Sequence, residues 1–327
     1  MAPSSAPRVA VIGAGMAGVS CAAQLQQCGI AVTLFEKSRG LGGRLATRRN
    51  EAGVAFDHGA QYITAHTPAF AQCLDRLRGA GSAAVWQPRR AATRDAAHPW
   101  QVGTPGMSAL LKPLAATLDL RTQHTVDALR RDGDGWQLCC DGIELEQRYA
   151  AVVSTAPAPQ TRALLAIEPL LQQALDEVRM APCWALMLCL REPLPVDIDA
   201  QRHDRGAIAW LARQASRPGH APAAQAWVVH ASPEWSTEHR ELSADAAAHA
   251  LQHELVQALG MPLPAVSFAQ AHRWRYALTT HALGRPFLAS TDGSLLAGGD
   301  WCLGPRVECA WQSGVAIAGA LAQRLLR

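Results

Sequence analysis

Three glycines near the start of the chain have the spacing of a phosphate-binding loop. They form a G-x-G-x-x-G pattern directly after the apolar run of residues 9–12. The first glycine of such a loop permits a tight turn, the second lets the backbone approach a pyrophosphate, and the third lets the next helix pack on the strand. The phosphates then lie at the helix N-terminus. We therefore predict dinucleotide contacts from Gly13, Gly15, Met16, Ala17 and Gly18.

An acidic residue follows at the expected distance from this loop. A helical pattern runs to Gln27, Gly29 stops it, and the apolar run of residues 30–35 ends at Glu36. A carboxylate at the tip of this strand can accept hydrogen bonds from an adenosine ribose. A 2′-phosphate would instead favour an arginine, so we predict a dinucleotide without one. The alternative is a glycine turn in an ordinary α/β protein.

A second glycine cluster, "RGLGGR", comes directly after Glu36 and is too short for another helix. Its glycines would let the main chain wrap a flat cofactor, and its arginines would supply charge for phosphates or a reduced ring. The cluster resembles the R-x-G-G-R motif of the FAD-binding amine oxidase superfamily. The alternative is a solvated loop. The predicted cofactor contacts here are Lys37, Arg39, Gly42, Gly43 and Arg44.

A third cofactor signal lies near the C-terminus. The apolar stretch "SLLA" ends in Gly298, Gly299 and Asp300, and a helical pattern follows from Pro305. A helix that begins here can direct its positive end at a flavin pyrimidine, while Asp300 hydrogen-bonds the ribityl or pyrophosphate region. A helix cap without a ligand is the alternative. We predict cofactor contacts for Gly299, Asp300, Arg306, Val307 and Glu308.

Four stretches together resemble the renalase family within the FAD-dependent amine oxidase superfamily: "RGLGGRLATRR", "FDHGAQYIT", "HRWRYA" and "GGDW". The resemblance implies noncovalent FAD and a substrate domain with a mixed sheet. It also implies oxidation of 1,2- or 1,6-dihydronicotinamide dinucleotides to the ordinary oxidised cofactor, after which O2 reoxidises the flavin and gives H2O2. Further cofactor contacts are expected at His58, Gly59, Ala60, Gln61, Tyr62 and Val126.

The strands and helices predicted around these residues indicate an α/β fold. The apolar runs at 150–154 and before Gly298 read as buried strands that return to the nucleotide sheet. We expect a discontinuous Rossmann-like FAD-binding domain and a second α+β substrate domain with a mixed sheet. The predicted FAD domain comprises residues 1–82, 103–164 and 286–327, and the substrate domain residues 83–102 and 165–285.

Composition excludes several classes of protein. A net charge of +3 is too small to indicate a nucleic-acid or membrane partner, and hydrophobic content of 49% is ordinary for a globular chain. Nine cysteines without regular spacing indicate a reducing compartment and no zinc site. Because the N-terminal stretch also lacks the pattern of a signal peptide, we expect a cytoplasmic protein without a metal, either monomer or homodimer.

Lysine is scarce, and this bears on mechanism. It occurs only at Lys37 and Lys112. Monoamine oxidases generally place a lysine near flavin N5, and some attach flavin through a C-terminal cysteine, but Cys302 and Cys309 do not fit that attachment pattern. A dihydropyridine that loses hydride becomes an aromatic cation, so positioning alone can supply most of the catalysis.

Several side chains are candidates for contact with the substrate. Trp210 and Trp274 could form aromatic walls, His230 could contact a carboxamide, and Tyr62 with Gln61 could approach the ring face. Each has a structural alternative, because tryptophans are usually core residues and His230 follows an apolar strand. Arg273 and Arg275 either meet substrate phosphates or face water, whereas His58 is expected to be structural.

Three functional classes stay open at this stage. The first is an oxidase of isomeric dihydronicotinamide dinucleotides, with O2 as co-substrate. The second is another flavin enzyme on the same scaffold, such as an amine oxidase or a desaturase. The third is a flavin-binding protein without turnover.

Overall fold

The computed structural model of the protein describes residues 7–89, 98–222 and 225–327. The predicted excursion at 83–102 therefore lies partly outside the described residues, as do the first six residues. The helices are α1 (Met16–Gln27), α2 (Pro68–Gly79), α3 (Lys112–Ala115), α4 (Ala158–Leu164), α5 (Pro169–Leu175), α6 (Pro233–Glu238), α7 (Ala244–Leu259) and α8 (Val307–Leu325).

The strands are β1 (Arg8–Ile12), β2 (Ala31–Glu36), β3 (Thr47–Arg49), β4 (Ala55–Asp57), β5 (Ala83–Val85), β6 (Gln101–Gly103), β7 (Asp119–Thr122), β8 (Val126–Asp132), β9 (Gly135–Cys140), β10 (Ile143–Tyr149), β11 (Ala151–Ser154), β12 (Arg179–Leu190), β13 (Ala200–Arg202), β14 (Ile208–Arg213), β15 (Ala226–Ala231), β16 (Val266–His281), β17 (Leu288–Ala289) and β18 (Leu295–Ala297). Short 3-10 turns lie between some of them, one at Met107–Leu111.

The chain divides into two compact units. The first comprises Met1–Gly43, Leu111–Met180 and Thr279–Arg327, and the second comprises Arg44–Leu110 and Ala181–Leu278. These borders differ from the predicted domains: residues 44–82 and 103–110 belong to the second unit, and residues 165–180 and 279–285 to the first. Packing explains part of the difference, because Phe56 of β4 is buried in one hydrophobic cluster with Met187 of β12 and Val228 of β15.

The first unit contains the predicted nucleotide sheet, with strand order β17-β18-β11-β1-β2-β7. Strand β1 pairs in parallel with β2 and β11, and β11 with β18, so the strand–helix–strand prediction and both returning strands are confirmed. Helix α1 packs against α8. The sheet core includes Phe35, Val152 and Leu295, each fully buried. A separate three-stranded antiparallel sheet has the order β10-β9-β8, in which a hairpin at Asp132–Gly135 joins β8 to β9.

The second unit contains a five-stranded sheet of order β13-β14-β15-β12-β16. The pairs β13–β14, β14–β15 and β12–β15 are antiparallel. With three of the four pairs antiparallel, the predicted mixed sheet depends on β12–β16 and stays a prediction. In the first unit, antiparallel β17–β18 adjoins parallel strands. Helix α7 covers this sheet with Leu251 and Leu255. Ser243 caps α7 at its start, and Gly260 ends it in the left-handed conformation.

None of the helices within residues 7–89, 98–222 and 225–327 combines the length and the apolar character that crossing a bilayer requires.

Candidate active site

The first glycine loop is shaped by close packing between β1 and α1. A β-carbon on Gly18 would lie 1.8 Å from the carbonyl oxygen of Gly13, so only glycine fits there. Gly15 is the N-cap of α1, and no side chain caps that helix. A β-carbon on Gly15 would meet only the Gly42 carbonyl, at 3.9 Å. The start of α1 therefore offers backbone N–H groups and open space, as phosphate binding requires.

Glu36 holds this loop in place. Its buried carboxylate accepts hydrogen bonds from the backbone N–H groups of Ala14 and Ser38, each at 2.8 Å. The strand end and the glycine loop are thus joined by one charged acceptor, a role that the sequence did not suggest. Contact of Glu36 with a ribose stays a prediction.

The second glycine cluster lies directly against the first. The N–H of Gly42 donates to the carbonyl of Ala14 at 3.0 Å, and a β-carbon on Gly43 would lie 3.5 Å from the Gly15 α-carbon. The two clusters therefore form one continuous backbone surface in the first unit. Lys37 and Arg39 are exposed beside it. These features fit a dinucleotide: a narrow glycine-lined surface, free helix N–H groups and neighbouring cations.

Val126 lies at the start of β8, and its side chain is packed in the hydrophobic core. His124, two residues before Val126, contacts the end of β2, because its N–H donates to the Glu36 carbonyl at 3.0 Å. The predicted cofactor contact of Val126 is therefore placed near the nucleotide strand, but its side chain is used in packing.

The C-terminal motif folds as the sequence predicted, with a turn before a long helix. The N–H of Gly299 donates to the Ser313 hydroxyl at 2.9 Å, and the Thr279 hydroxyl donates to the Asp300 carboxylate at 3.1 Å. Arg306 is the exposed N-cap of α8, and no side chain caps it. Val307 and Glu308 follow in the first turn, with Glu308 buried, where a carboxylate stabilises the helix.

Six predicted cofactor residues lie in the second unit: Arg44, His58, Gly59, Ala60, Gln61 and Tyr62. Gly59 is required because a β-carbon there would lie 2.0 Å from the carbonyl oxygen of Arg44. That oxygen accepts the N–H of Ala60 at 2.8 Å. The guanidinium of Arg44 in turn donates to the carbonyl of Ala277 at 3.1 Å.

One carbonyl orients two of the predicted substrate residues. The carbonyl oxygen of His58 lies 2.9 Å from Trp274 Nε1 and 3.1 Å from His230 Nε2. The His58 ring also lies 5.0 Å from the Trp274 ring, measured between centroids. The structure thus brings "DHGAQYIT", Trp274 and His230 together within the second unit.

The aromatic residues form a second part of this cluster. Tyr62 stacks on Trp100 with ring centroids 3.9 Å apart and planes at 8°. Trp210 is buried, lies 5.6 Å from Tyr62 and donates through Nε1 to Gln61 Oε1 at 3.0 Å. One face of Tyr62 is therefore already covered, and Trp210 is held as a core residue would be. The sequence did not suggest the role of Trp100.

The imidazoles of this cluster are neutral near pH 7. Burial lowers the pKa of His230 to about 4. Burial, with the nearby charges of His272 and Arg48, lowers the pKa of His58 to about 3. Burial also lowers the pKa of His272, whose ring lies 4.5 Å from that of Trp274. The cluster therefore presents aromatic rings and uncharged nitrogens.

A fully buried ion pair lies beneath these residues and was missed from the sequence. Arg217 Nη1 lies 3.6 Å from Asp57 Oδ2, both side chains have no exposed surface, and His220 Nε2 lies 3.0 Å from the same oxygen. Although burial alone would raise it, the His220 hydrogen bond and the Arg217 charge hold the pKa of Asp57 below its usual range. No sequence signal separates Arg217 from the many surface arginines.

Arg273 packs against an aromatic ring, and its contact with a substrate phosphate stays a prediction. Its guanidinium lies over the Trp184 ring, 5.6 Å from the centroid, and donates to the carbonyl of Arg240. Successive strand residues point to opposite faces, so Arg273 and exposed Arg275 lie on the face of β16 opposite Trp274. Neither therefore belongs to the Trp274 cluster.

Two family models match the chain. Residues 11–77 match the NAD(P)-binding Rossmann-like domain, and residues 78–322, most of the chain, match flavin containing amine oxidoreductase. Among solved structures, putrescine oxidase bound to putrescine has a TM-score of 0.76 at 14% identity, over 98% of this chain and 100% of that chain. Cyclohexylamine oxidase from Brevibacterium oxydans IH-35A has a TM-score of 0.70 at 15% identity, over 98% and 100%. At these identities the similarity is one of fold.

Curated relatives match over short segments. Protoporphyrinogen oxidase 2 of Arabidopsis thaliana is 38% identical over 73 residues, which are 22% of this chain and 14% of that protein. Phytoene desaturase of Neurospora crassa is 43% identical over 64 residues, which are 19% of this chain and 11% of that protein. The matched segments thus span only a small part of these relatives' lengths.

Proposed function

The chain belongs to the family of flavin-containing amine oxidoreductases, and we propose that it is an FAD-dependent oxidase of isomeric dihydronicotinamide dinucleotides. The substrate would be the 1,2- or 1,6-dihydro isomer of NAD(P)H. The overall reaction consumes the dihydropyridine, O2 and one proton, and it yields NAD(P)+ and H2O2. Membership of the family implies a flavin cofactor, and we infer that this flavin is FAD and that it is bound noncovalently.

The first unit supports noncovalent FAD. Gly15 and Gly42 leave backbone space beside the uncapped start of α1, and Glu36 fixes the loop that frames it. Thioether attachment needs a reactive thiolate. Cys302 and Cys309 are buried, and burial raises the pKa of Cys302 to about 12. Both thiols are therefore poorly suited to attack on a flavin.

The observation that carries the substrate proposal is the neutral cluster around the His58 carbonyl. A bound flavin would supply the two-electron acceptor for hydride at N5. The chain would supply stacking by Trp274 and orientation by His230, with neutral imidazoles beside a ring that becomes cationic. A dihydropyridine needs no general base, and the chain has no lysine beyond Lys112. An amine substrate would be stabilised less by this stacking and by these uncharged nitrogens.

The test is anaerobic mixing of the holoprotein with borohydride-treated NAD, which contains the dihydro isomers. We expect rapid flavin bleaching by the isomers, much slower bleaching by ordinary NADH and almost none by putrescine or cyclohexylamine. The reason is that hydride transfer requires the donor carbon about 3 to 3.5 Å from its acceptor, so a site that aligns one ring carbon misaligns another. Fast bleaching by an amine, with no response to the isomers, would overturn the proposal in favour of an amine oxidase.

A further inference from the structure

The orientation of the Gln61 side-chain amide is fixed on both sides. Its Oε1 accepts from Arg217 Nη2 at 2.8 Å and from Trp210 Nε1 at 3.0 Å, and both of these groups can only donate. Its Nε2 donates to the carbonyls of Asp57 and Gly59 at 2.6 and 2.9 Å. Both amide hydrogens are thus used on carbonyl oxygens.

This arrangement decides which nitrogen of His230 carries the proton. His230 Nε2 lies 3.1 Å from the His58 carbonyl oxygen and 3.3 Å from Gln61 Nε2. The carbonyl can only accept, and Gln61 has no hydrogen left to donate. His230 Nε2 must therefore be the protonated donor. Because burial keeps this imidazole neutral near pH 7, the lone pair resides on Nδ1.

His230 Nδ1 is available to a ligand. It has no hydrogen-bond partner within the part of the chain that the structure describes, and it is not sealed from solvent. The side chain is half-buried at the end of β15, and Trp274 is bound to the same His58 carbonyl. One carbonyl thus holds both an aromatic ring and an imidazole whose Nδ1 is an acceptor. A planar ligand with an N–H donor at its edge has the matching chemistry.

We propose that Arg217 and Gln61 are positioning residues that hold His230 as the Nε2-protonated tautomer, so that Nδ1 accepts a hydrogen bond from the carboxamide N–H of the substrate. The inference rests on the proposed function and narrows its substrate class. A 3-carboxamide is accepted, whereas a 3-carboxylate would set its own lone pairs against that of Nδ1 and a 3-acetyl group would place there a methyl group that cannot donate. The site therefore selects dihydronicotinamides against the corresponding acids and ketones.

The kinetic test compares three borohydride-reduced dinucleotides: the carboxamide, the carboxylate and the 3-acetylpyridine forms. With the native holoprotein we expect anaerobic flavin reduction to be about 5- to 150-fold faster for the carboxamide, the range for leaving one buried acceptor unpaired. His230→Gln keeps a donor for the His58 carbonyl but removes the acceptor at Nδ1, so this preference should fall towards one. His253→Gln, on the exposed face of α7, is the matched control and should keep it.

A spectroscopic test reads the tautomer without substrate. In protein labelled with 15N-histidine, the His230 signals, assigned by their loss in His230→Gln, should show a protonated Nε2 and an unprotonated Nδ1 at pH 7. Gln61→Met releases the Asp57 and Gly59 carbonyls on either side of His58, so the His58 carbonyl can move away from His230 Nε2. This variant should therefore introduce the other tautomer and lower the carboxamide preference. Arg217→Lys, which keeps the buried charge beside Asp57, should do so to a smaller extent.

The outcomes separate the two proposals. Reduction by the carboxamide isomer with equal rates for all three dinucleotides overturns the inference and leaves the proposed function standing. A protonated Nδ1 on His230 also overturns the inference. Failure of every dihydro isomer to reduce the flavin overturns the proposed function, and the carboxamide assignment with it.

Discussion

Replacement of Gly59 by alanine tests whether close backbone packing holds the His58 carbonyl in place. The new β-carbon would lie 2.0 Å from the Arg44 carbonyl oxygen and 2.9 Å from its carbon. Both atoms are backbone atoms, so no side chain can rotate away. The two segments must instead separate by about 1 Å or more to reach an allowed carbon–oxygen contact.

That separation has two calculable costs. It breaks the hydrogen bond from the Ala60 N–H to the Arg44 carbonyl, 2.8 Å long, and an unsatisfied donor costs about 1–3 kcal/mol. Overpacking adds about 1–3 kcal/mol, so we expect the free energy of unfolding of Gly59→Ala to fall by about 2–6 kcal/mol. Because His58 O binds both Trp274 and His230, a 1 Å displacement should also slow flavin reduction by about 10²-fold.

The matched control is Gly79→Ala in the same unit. Gly79 ends α2, and a β-carbon there would have no neighbour within 4 Å. This variant should keep the native reduction rate and match or exceed the native stability, because alanine favours a helix over glycine by up to about 1 kcal/mol. Urea unfolding, FAD content and anaerobic reduction are measured for both variants. Equal behaviour of Gly59→Ala and Gly79→Ala would refute the reasoning.

Three further predictions address the nucleotide loop, the aromatic wall and the imidazoles. Glu36→Gln should bind FAD more weakly and lose about 1.5–3 kcal/mol of unfolding free energy, since two backbone donors lose a charged acceptor; native FAD affinity on dilution would contradict this. Trp274→Phe loses the hydrogen bond to the His58 carbonyl, so its free energy of unfolding should fall by about 0.5–1.5 kcal/mol. Trp274→Ala should in addition slow flavin reduction by the equivalent of about 1–3 kcal/mol, because stacking is lost. An Ala variant that melts early but is reduced at the native rate would make Trp274 a core residue. The pKa of His230 is lowered to about 4 and that of His58 to about 3, so the unfolded chain binds more protons than the folded chain below about pH 6.5. As the pH is lowered below that value, the free energy of unfolding should therefore decrease by up to about 1.4 kcal/mol per pH unit for each histidine. A flat urea-unfolding profile from pH 7 to pH 5 would count against burial of both rings.

The nucleotide half of the fold could be predicted because its signals are local. Gly13, Gly18 and Glu36 lie within one strand–helix–strand unit, and each has a steric or electrostatic reason that short-range geometry fixes. The turn before α8 followed from a glycine pair and an acid next to an apolar strand. In both places the residue types at fixed spacing determine the backbone, so the sequence carries the information directly.

The substrate half was only partly predictable. The sequence singled out His230 and Trp274, but not that one carbonyl orients both. Arg217 was missed because burial of an arginine depends on a partner that folding supplies, here Asp57, and nothing in the neighbouring residues reports it. The sequence left Arg273 open between a substrate phosphate and water for a related reason: the face of a strand on which a charge lies depends on register, which the sequence did not define.

The bonds that hold Gln61 also bear on the order in which the molecule assembles. Trp210 and Arg217 lie 149 and 156 positions beyond Gln61 in the chain. Contacts of such sequence separation form slowly, and the N-terminal part of a chain begins to fold while the rest is being synthesised. Gln61 and Asp57 therefore stay hydrated until the segment that carries Arg217 arrives and displaces their water. The strand–helix–strand segment around Gly13 needs no such wait. The substrate cluster, which also includes Trp274, is completed late in folding and is incomplete in any nascent chain shorter than 274 residues.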